Sequence, residues 1–384
     1  MSPSPSRREF LKVAGTTLLA AGSAPRFLNA QDKAGSKLPV IGSGNWKYEC
    51  HHNWGEVPEH IHWKNTHGAA IDQDGLVYIT HQGDAAKPCD TVVVFEPNGK
   101  FVRSFGKEYA GGGHGIDIRN EDGTEYIYLS VTAPHRVVVK TDKQGNVVWK
   151  QSAPEMAKIY DKTHQFSPTN VCFGPNSELF IGDGYGSHYL HQYDKDGNYV
   201  RSWGGPGEKA GQLRTPHGQW LDLRDPNQPL IAVADRANAR LQFFTLDGKP
   251  TAIIQGLTQD NKDQAGSQLT VETPTGETVP GTSVYGIAFP ASVDSLGEYL
   301  LIADLHARVV ILDRKNNIAA NLGFNEDWTT KVLDGKPFRM RTQPNSWEAG
   351  RFVHPHDATF DKAGNIYVAE WVDKGRLTFL RRLA

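Results

Sequence analysis

Four histidines of this 384-residue sequence recur at the same point of a repeated pattern, each at the start of a short apolar stretch. They are His67, His114, His217 and His356. Neutral imidazole is the commonest metal-binding side chain. Three imidazoles with an open fourth position are typical of a catalytic zinc site. The chemistry that these residues suggest is therefore binding of a divalent cation, provided that the fold brings them to one point.

The elements that must position these histidines are six copies of one strand–turn–strand plan. Each copy has a short alternating strand, a turn with Asp, Asn or Gly, and a second strand rich in Tyr, Ile, Val or Leu. A third strand follows most copies, and a fourth often ends in Phe-Gly or Trp-Gly. This repeat predicts an all-β fold, a six-bladed β-propeller. The copies begin near His67, His114, Pro168, Pro216, Tyr285 and Pro355.

The two ends of the repeat array predict how the ring closes. The last copy ends in a third strand, RLTFLRRLA, whereas WKYECHHNWG before the first copy reads as an isolated fourth strand. We expect these two strands to pair, which leaves no open edge between the first and last blades. The propeller is predicted over residues 46–384, after a linker over 31–45. Residues 260–283 read as an inserted loop.

The first strand of each propeller blade lines the central channel, so a residue at its start lies at one mouth of the channel. His114, His217 and His356 belong to blades two, four and six, which lie about 120° apart in a six-fold ring. These three histidines are therefore predicted to converge as a metal-binding set. At the same register we expect Asn170 in the third copy and Gly286 in the fifth.

Two further histidines lie near this level of the pattern. His67 belongs to an odd-numbered blade, and three roles stay open for it: orienting a ligand, contacting substrate, or stabilising the fold. His354 stands two residues before His356 and would point the same way on a strand. A single histidine at a blade mouth is more often a hydrogen-bonded structural residue. Only the set of three in alternate blades favours the metal site.

The first 30 residues predict an export signal that is not part of the fold. SRREFLK, at residues 6–12, places a twin arginine before an apolar stretch, and small residues end the segment at Ala30. We therefore expect a periplasmic or extracellular protein exported by the twin-arginine machinery. The net charge of −2 gives no basic field for nucleic acid. No run of about 20 apolar residues predicts a membrane span.

Several segments of the sequence resemble peptidyl-α-hydroxyglycine α-amidating lyase, the lyase half of the peptide-amidating enzyme and a six-bladed propeller of NHL-type repeats. They are PTNVCFGPNSELFIGDGYG from residue 168, TPHGQWLDL from 215, IAVADRANARLQFF from 231 and HPHDATFDKAGNIYVAE from 354. The likeness covers roughly residues 90–371. It implies a carbon–nitrogen lyase that cleaves a carbinolamide in a small molecule or peptide.

The resemblance also implies cofactors and their ligands. His114, His217 and His356 match the zinc ligands of the family, and the alternation of blades selects the same three. Asp357, directly after the last of them, matches a calcium ligand. The resemblance thus implies zinc and calcium as cofactors.

The resemblance implies roles in substrate handling as well. Tyr185, in the DGY segment, matches the active-site tyrosine, and Arg236, in the ADR segment, matches an arginine of the active site. Where the family has an early arginine that holds the substrate, this sequence has His81 or Gln82. Two other classes stay open: a non-catalytic propeller that binds a protein or glycan, and a lactonase-like hydrolase.

Overall fold

The described residues fold into six sheets whose first strands contact one another in ring order, and the last returns to the first. Strand pairing within the sheets is antiparallel except for one parallel pair in the fourth blade. The computed structural model describes residues 38–335 and 338–383. The six-bladed β-propeller predicted from the sequence is confirmed. The predicted signal over residues 1–30 lies outside the described residues and stays a prediction.

The described chain begins with two strands that belong to the last blade, and the first three blades follow in order. These strands are β1 (Val40–Ser43), β2 (Trp46–His52), β3 (Thr66–Ile71), β4 (Val77–His81), β5 (Val92–Phe95), β6 (Phe101–Phe105), β7 (Gly113–Glu121), β8 (Thr124–Val131), β9 (Val137–Thr141), β10 (Val147–Gln151), β11 (Asn170–Phe173), β12 (Leu179–Gly182), β13 (Tyr189–Tyr193) and β14 (Tyr199–Gly204). Blade one is β3 to β6, blade two β7 to β10, and blade three β11 to β14.

The second half of the ring is less regular, because two blades have extra strands and one connection is long. Its strands are β15 (Pro216–Asp222), β16 (Leu230–Asp235), β17 (Arg240–Thr245), β18 (Pro250–Leu257), β19 (Gln268–Glu272), β20 (Thr278–Tyr285), β21 (Pro290–Leu296), β22 (Tyr299–Asp304), β23 (Arg308–Leu312), β24 (Ile318–Leu322), β25 (Pro355–Phe360), β26 (Ile366–Glu370) and β27 (Arg376–Arg382). The predicted insertion at 260–283 includes β19 and part of β20, which extend the fourth blade. One α-helix, α1 (Glu326–Leu333), precedes blade six.

The ring closes through the strand that the sequence predicted. β2 pairs antiparallel with β27, and Cys50 lies opposite Leu380. β1 pairs with β2 and adds a fifth strand to this sheet. Val40–Ser43 falls in the linker predicted from the sequence, because four residues without strong alternation give a weak strand signal. In the structure, pairing with β2 supplies the order that the local sequence lacks.

Aspartates directly after a strand shape the turn into the next strand, after the third strand of blades two and three and after the first strand of blade six. Asp142, Asp194 and Asp361 each accept hydrogen bonds through Oδ1 from the backbone N–H groups two and four residues ahead. Gly145, Gly197 and Gly364 end these turns with positive φ, a conformation that glycine adopts without steric cost. These turns, which run from an aspartate to a glycine, are among the sequence features that identify the repeat.

A buried carboxylate at the end of a second strand fixes the entry to four of the channel strands. Asp183, Asp235, Asp304 and Glu370 are fully buried. They accept N–H groups from Ser167, Arg214, Ala288 and Val353, respectively. Each donor lies three residues before the channel position of its blade: Asn170, His217, Ala291 and His356.

This shared bond corrects one prediction, the register of blade five. Its channel position is Ala291 and not Gly286, because β21 begins at Pro290. Gly286 belongs to the connection from β20 and has φ 137°. The sequence Tyr-Gly-Ile at residues 285–287 resembles the start of a strand. However, the Asp304 carboxylate accepts hydrogen bonds from the backbone N–H groups of Ala288 and Phe289, so the strand begins after these residues.

The hydrophobic core lies between neighbouring blades. Strand residues whose two faces both meet another blade are fully buried, as Val92, Val93 and Val94 are in β5. Val92 and Val94 pack toward Ile127 of blade two, while Val93 packs toward blade six. This burial holds the blades at fixed angles, and therefore fixes the channel strands that they carry.

Candidate metal and active site

Four imidazoles meet at one mouth of the channel, and we name His67, His114, His217 and His356 the histidine cluster. The ring centroids of His114, His217 and His356 lie 4.5 to 4.9 Å apart. Zn–N distances near 2.1 Å with tetrahedral angles place three bound imidazoles about 5 Å apart. The His67 ring lies 4.5 Å from His114 and 4.4 Å from His356. Ligand atoms of His67, His114 and His356 all lie within 4.8 Å of one another.

Irregular strand pairing directs these side chains into the channel. Five of the six channel strands change register beside the channel position, which is the pairing pattern of a β-bulge. The changes lie between Thr66 and Ala69, Gly113 and Ile116, Pro216 and Gln219, Pro290 and Ser292, and Pro355 and Asp357. β11, which carries Asn170, instead pairs in regular register with β12. Each histidine of the cluster therefore lies at a bulge, where a strand can re-aim a side chain.

Backbone carbonyls of other blades orient three of the imidazoles. Nδ1 of His114 lies 2.7 Å from Thr169 O, and Nδ1 of His217 lies 2.7 Å from Ala291 O. Nδ1 of His356 lies 2.8 Å from His67 O. A carbonyl only accepts, so Nδ1 carries the proton in each ring and Nε2 keeps its lone pair. Such a partner fixes the tautomer of a metal-binding histidine.

The glycines after His114 and His217 permit this approach. A Cβ on Gly115 would lie 2.4 Å from Thr169 O, and one on Gly218 would lie 2.7 Å from Ala291 O. These are the same carbonyl oxygens that accept the imidazole N–H groups. The His-Gly pair in the sequence is thus explained by close approach of a neighbouring backbone.

Burial keeps the cluster neutral. It lowers the pKa of His114 to about 3. Burial also lowers the pKa values of His67, His217 and His356 well below the ordinary value, and neighbouring histidines and arginines lower them further. Neutral imidazole is the form that binds a metal.

The donor set fits a single zinc-like cation. Nε2 of His114 is buried and has no hydrogen-bond partner within residues 38–335 and 338–383. A cavity of about 10 Å³ lies among the four rings, roughly the space of one small sphere. The space suits a single ion, and the imidazole nitrogen atoms around it are ligands that Zn²⁺ prefers.

Tyr185 and Arg236, which the resemblance singled out, lie beside the histidine cluster. The Tyr185 hydroxyl lies 2.9 Å from Nε2 of His217 and 3.3 Å from Nη1 of Arg236, which donates to it. The Arg236 guanidinium also stacks on the rings of Tyr185 and Phe289. Asp235 pairs with Arg240 at 2.7 Å. Tyr185 is 42% exposed, so the site can be reached from solvent.

His67 is part of the cluster, but it is held differently from the other three. Its Nδ1 lies 3.1 Å from Nε2 of His356, where the others face a carbonyl. Since His356 donates through Nδ1, its Nε2 accepts from His67. The alternation of blades gave no reason to include His67. A side chain at this level of any channel strand can reach the channel axis, and the sequence pattern does not reveal how close to the axis each one lies.

His81 and His354 lie outside the ring contacts of the cluster. Nε2 of His81 lies 2.7 Å from Asp90 O, and its ring meets Trp63. Nδ1 of His354 lies 2.6 Å from Leu305 O, and its ring meets Phe338 and Trp371. His354 precedes β25, so the strand argument that pointed it at the cluster does not apply.

Asp357 belongs to a second set of side chains deeper in the same channel. With Asp117 and Asp294, which the sequence analysis missed, it lines a cavity of about 180 Å³. We name these three the carboxylate cluster. Asn170 and Asp357 border both this cavity and the space among the histidines. Three aspartates spaced along separate blades carry no local motif, which is why only Asp357 was identified.

Burial shifts these carboxyl groups in the opposite direction from the histidines. It raises the pKa of Asp294 to about 6 and that of Asp357 to about 7, and it raises the pKa of Asp117 well above its ordinary value. Repulsion from Asp294 adds to the rise in the pKa values of Asp117 and Asp357. The backbone N–H groups of Ala69 and Ala358 donate to Asp357 and partly offset the rise in its pKa.

Comparisons with known proteins find relatives among the peptide-amidating enzymes. Over 242 residues the chain is 27% identical to the peptidyl-glycine alpha-amidating monooxygenase of Mus musculus, a match that covers 54% of this chain and 24% of the mouse protein. It is 24% identical over 296 residues to peptidyl-alpha-hydroxyglycine alpha-amidating lyase 1 of Drosophila melanogaster, covering 73% of this chain and 47% of that protein. The chain is therefore related to the α-amidating lyases.

The match covers less than half the length of each of these relatives. No protein-family model matches the sequence. Among solved structures, virginiamycin B lyase from Staphylococcus aureus superposes with a TM-score of 0.51 at 15% identity, covering 88% of this chain and all of that one. At this identity the likeness shows the fold alone. Within the described residues, every helix is too short or too polar to cross a membrane.

Proposed function

We propose that the protein is a metal-dependent carbon–nitrogen lyase that cleaves a carbinolamide, N–CH(OH)–R, to an amide and an aldehyde. One observation carries the proposal: three neutral, pre-oriented imidazoles meet beside the Tyr185 hydroxyl at an accessible channel mouth. The relationship to amidating lyases supplies the reaction class.

His114, His217 and His356 are the residues that would hold the cation, and zinc fits their donor set best. A cation bound there would polarise the hydroxyl oxygen of the substrate and make its proton easier to remove. Three protein ligands leave a position open for that oxygen. We assign the three ligand roles to the imidazoles whose Nδ1 faces a carbonyl, and leave His67 as a neighbour that contacts His356 or substrate.

Tyr185 is the side chain placed to move the proton. In the cleavage, the O–H proton leaves the hydroxyl, the C–O bond becomes a carbonyl, the C–N bond breaks, and a proton reaches the departing nitrogen. The Tyr185 hydroxyl lies between His217 and Arg236, where it can give its own proton to the departing nitrogen and take up the proton of the substrate hydroxyl, so that it ends the reaction protonated as it began. Help of this kind contributes about 10²- to 10⁴-fold to a rate.

Arg236 is placed to hold a carboxylate of the substrate. It already donates to Tyr185, and its Nε is buried without a hydrogen-bond partner within the described ranges. A guanidinium binds a carboxylate through two parallel hydrogen bonds. Such a clamp would hold the carbon that bears the hydroxyl close to the tyrosine.

The carboxylate cluster is a second cation position in the proposal, with calcium bound through Asp357. Oxygen ligands are those that Ca²⁺ prefers. Asp117 and Asp294 add two carboxylates to the same cavity. We assign this position a structural role, because it joins blades two, five and six below the reactive level.

Export through the twin-arginine pathway to the periplasm or beyond is a separate part of the proposal. It rests on Arg7 and Arg8 and on the apolar stretch that follows them. Replacing both arginines with lysine should leave the protein in the cytoplasm, which fractionation of cells measures. Unchanged export of that variant would contradict export through the twin-arginine pathway.

The direct test of the lyase function is release of glyoxylate from N-benzoyl-α-hydroxyglycine by purified, zinc-loaded protein. We expect benzamide and glyoxylate in equal amounts, and loss of both after a chelator removes the cation. Turnover of a lactone in place of this substrate would instead favour the hydrolase. Protein that binds no cation and releases no product would favour a non-catalytic propeller.

A further inference from the structure

A second arginine lies on the long connection between β24 and β25, and its charge acts on His67 and His356 of the histidine cluster. Arg341 lies on a 3-10 helix, Arg339–Thr342. Its Nη2 donates to Asn65 Oδ1 at 2.5 Å, two residues before His67. Its Nε donates to Trp371 O at 3.1 Å. The side chain therefore bridges blades one and six beside the channel mouth.

The position of Arg341 is rigidly supported. Its guanidinium carbon lies 3.4 Å from the centroid of the Trp371 ring, a stacking contact that a planar guanidinium makes well. The preceding residue, Met340, is buried in a cluster with Trp328 and Val353. The guanidinium is thus held in place before any ligand arrives, which lowers the entropy cost of binding.

Neither Arg236 nor Arg341 forms an ion pair with any residue that the structure describes. Nη1 of Arg341 makes no hydrogen bond among these residues, and Nε of Arg236 is a buried donor without a partner. The Asp373 carboxylate acts on Arg341 electrostatically but forms no ion pair with it, and a partly buried guanidinium without a directly paired carboxylate favours an anion nearby. Both arginines therefore have donors and charge to offer to a ligand.

The charges of the two arginines act on different, overlapping sets of histidines in the cluster. The Arg236 charge helps to lower the pKa values of His114, His217 and His356, while the Arg341 charge does so for His67 and His356. The Tyr185 hydroxyl hydrogen-bonds to Arg236 and interacts electrostatically with Arg341. An anionic group beside Tyr185 would therefore be attracted by both guanidinium groups.

We propose that Arg341 is a substrate-binding residue that acts with Arg236 to select substrates with a carboxylate beside the scissile C–N bond. This inference rests on the proposed lyase function of the same site. It adds a specificity-determining residue that comes from a connection between blades and not from the repeat itself.

Binding of an unreactive analogue tests the inference separately from catalysis. N-benzoylglycine has the carboxylate but no hydroxyl to lose, and its amide has the same shape without the charge. Calorimetry on zinc-loaded wild type should show the acid binding at least tenfold more tightly than the amide. We expect R341Q to weaken binding of the acid about tenfold and leave the amide unchanged, since a charge-assisted contact is lost. R341K should fall between the two.

R339Q is the matched control, because Arg339 is exposed on the same 3-10 helix. It should bind both compounds as wild type does. Thermal melting and circular dichroism of every variant show whether folding is intact, and R341K preserves the test if R341Q is unstable. Equal binding of acid and amide, no measurable binding of the acid, or wild-type affinity in R341Q and R341K would overturn the proposal.

Kinetics distinguish its failure from failure of the lyase function. Arg341-dependent binding without glyoxylate release would contradict the lyase proposal alone. Glyoxylate release with the same kcat/KM for N-benzoyl-α-hydroxyglycine in wild type, R341Q and R341K would contradict the role of Arg341 alone.

Discussion

The histidine cluster and the carboxylate cluster occupy successive levels of one channel, yet burial shifts their pKa values in opposite directions. Removal from water favours the neutral form of any titratable group, so it lowers the pKa of an imidazole and raises that of a carboxyl group. His114 falls to a pKa of about 3, and Asp294 rises to about 6. For imidazole the neutral form binds a cation, whereas for a carboxyl group it does not.

The difference shows how one environment prepares two kinds of site. At the histidine level, burial alone provides lone pairs at neutral pH, and backbone carbonyls aim them. At the carboxylate level, burial opposes the charged form that a cation needs. The free energy of cation binding at that level must therefore exceed the free energy needed to ionise the buried carboxyl groups. We therefore expect the first level to determine the chemistry and the second to affect stability.

The largest effect should follow removal of one imidazole. We expect H217A to bind no zinc, where wild type binds about one per chain, and to lose glyoxylate release on the order of 10⁴-fold, because several kcal/mol of cation stabilisation disappear. Elemental analysis measures the zinc content, and an assay of glyoxylate measures the activity. H60A is the control, since His60 is exposed and hydrogen-bonds to Ser104. Zinc retained in H217A would contradict the ligand assignment.

The next effect concerns the proton. Y185F should retain zinc and lose about 10³-fold in kcat, because the hydroxyl between His217 and Arg236 is gone. Y189F, altered in the next strand, should keep wild-type kcat. A Y185F enzyme with kcat near that of wild type would mean that another group transfers the proton.

At the carboxylate level the expected effect is on stability and on its pH dependence. Asp294 has a folded-state pKa of about 6, above its unfolded value of 3.8. Its contribution to stability is thus full below pH 4 and is lost as pH rises through 6, by up to about 3 kcal/mol. The free energy of unfolding of wild type minus that of D294N should therefore fall between pH 4 and 7.

Chemical denaturation with a chelator present measures this difference, and added calcium should reduce it, because a cation favours the charged carboxylate. The N–H groups of Ser295 and Phe360 donate to Asp294 and must find an acceptor in the amide of the variant. A pH-independent difference would show that Asp294 does not titrate in this range.

The smallest effect should come from His67. Its contact with His356 is one neutral hydrogen bond, worth about 1 kcal/mol. H67A should therefore keep about one zinc per chain and lose less than about tenfold in kcat/KM. Loss of zinc from H67A to the same extent as from H217A would make His67 a fourth ligand and would close the coordination position that the proposed chemistry needs.

Much of the fold follows from local signals that the repeat displays. Aspartate turns such as those at Asp142 and Asp194 mark the strand ends, and the unpaired strand RLTFLRRLA indicates how the ring closes. The register of blade five was predicted wrongly, at Gly286, because a tertiary bond from Asp304 to Ala288 decides where that strand begins. Local sequence does not contain such a bond.

The candidate site divides in the same way. His114, His217 and His356 could be identified because all three stand at one point of the repeat. Asp294 and Arg341 could not: the first has no motif around it, and the second lies in a connection without periodicity. Their positions depend on packing between blades, as in the stacking of Arg341 on Trp371.

The pairing of β2 with β27 has a consequence for biosynthesis. The two halves of this junction lie more than 300 residues apart, and His67 and His356 lie on either side of it. A ribosome must release the segment Arg376–Arg382 before the junction can form. The ring is therefore sealed only after all four histidines of the cluster have been synthesised, and a product truncated before Arg376 would lack the strand that closes the ring.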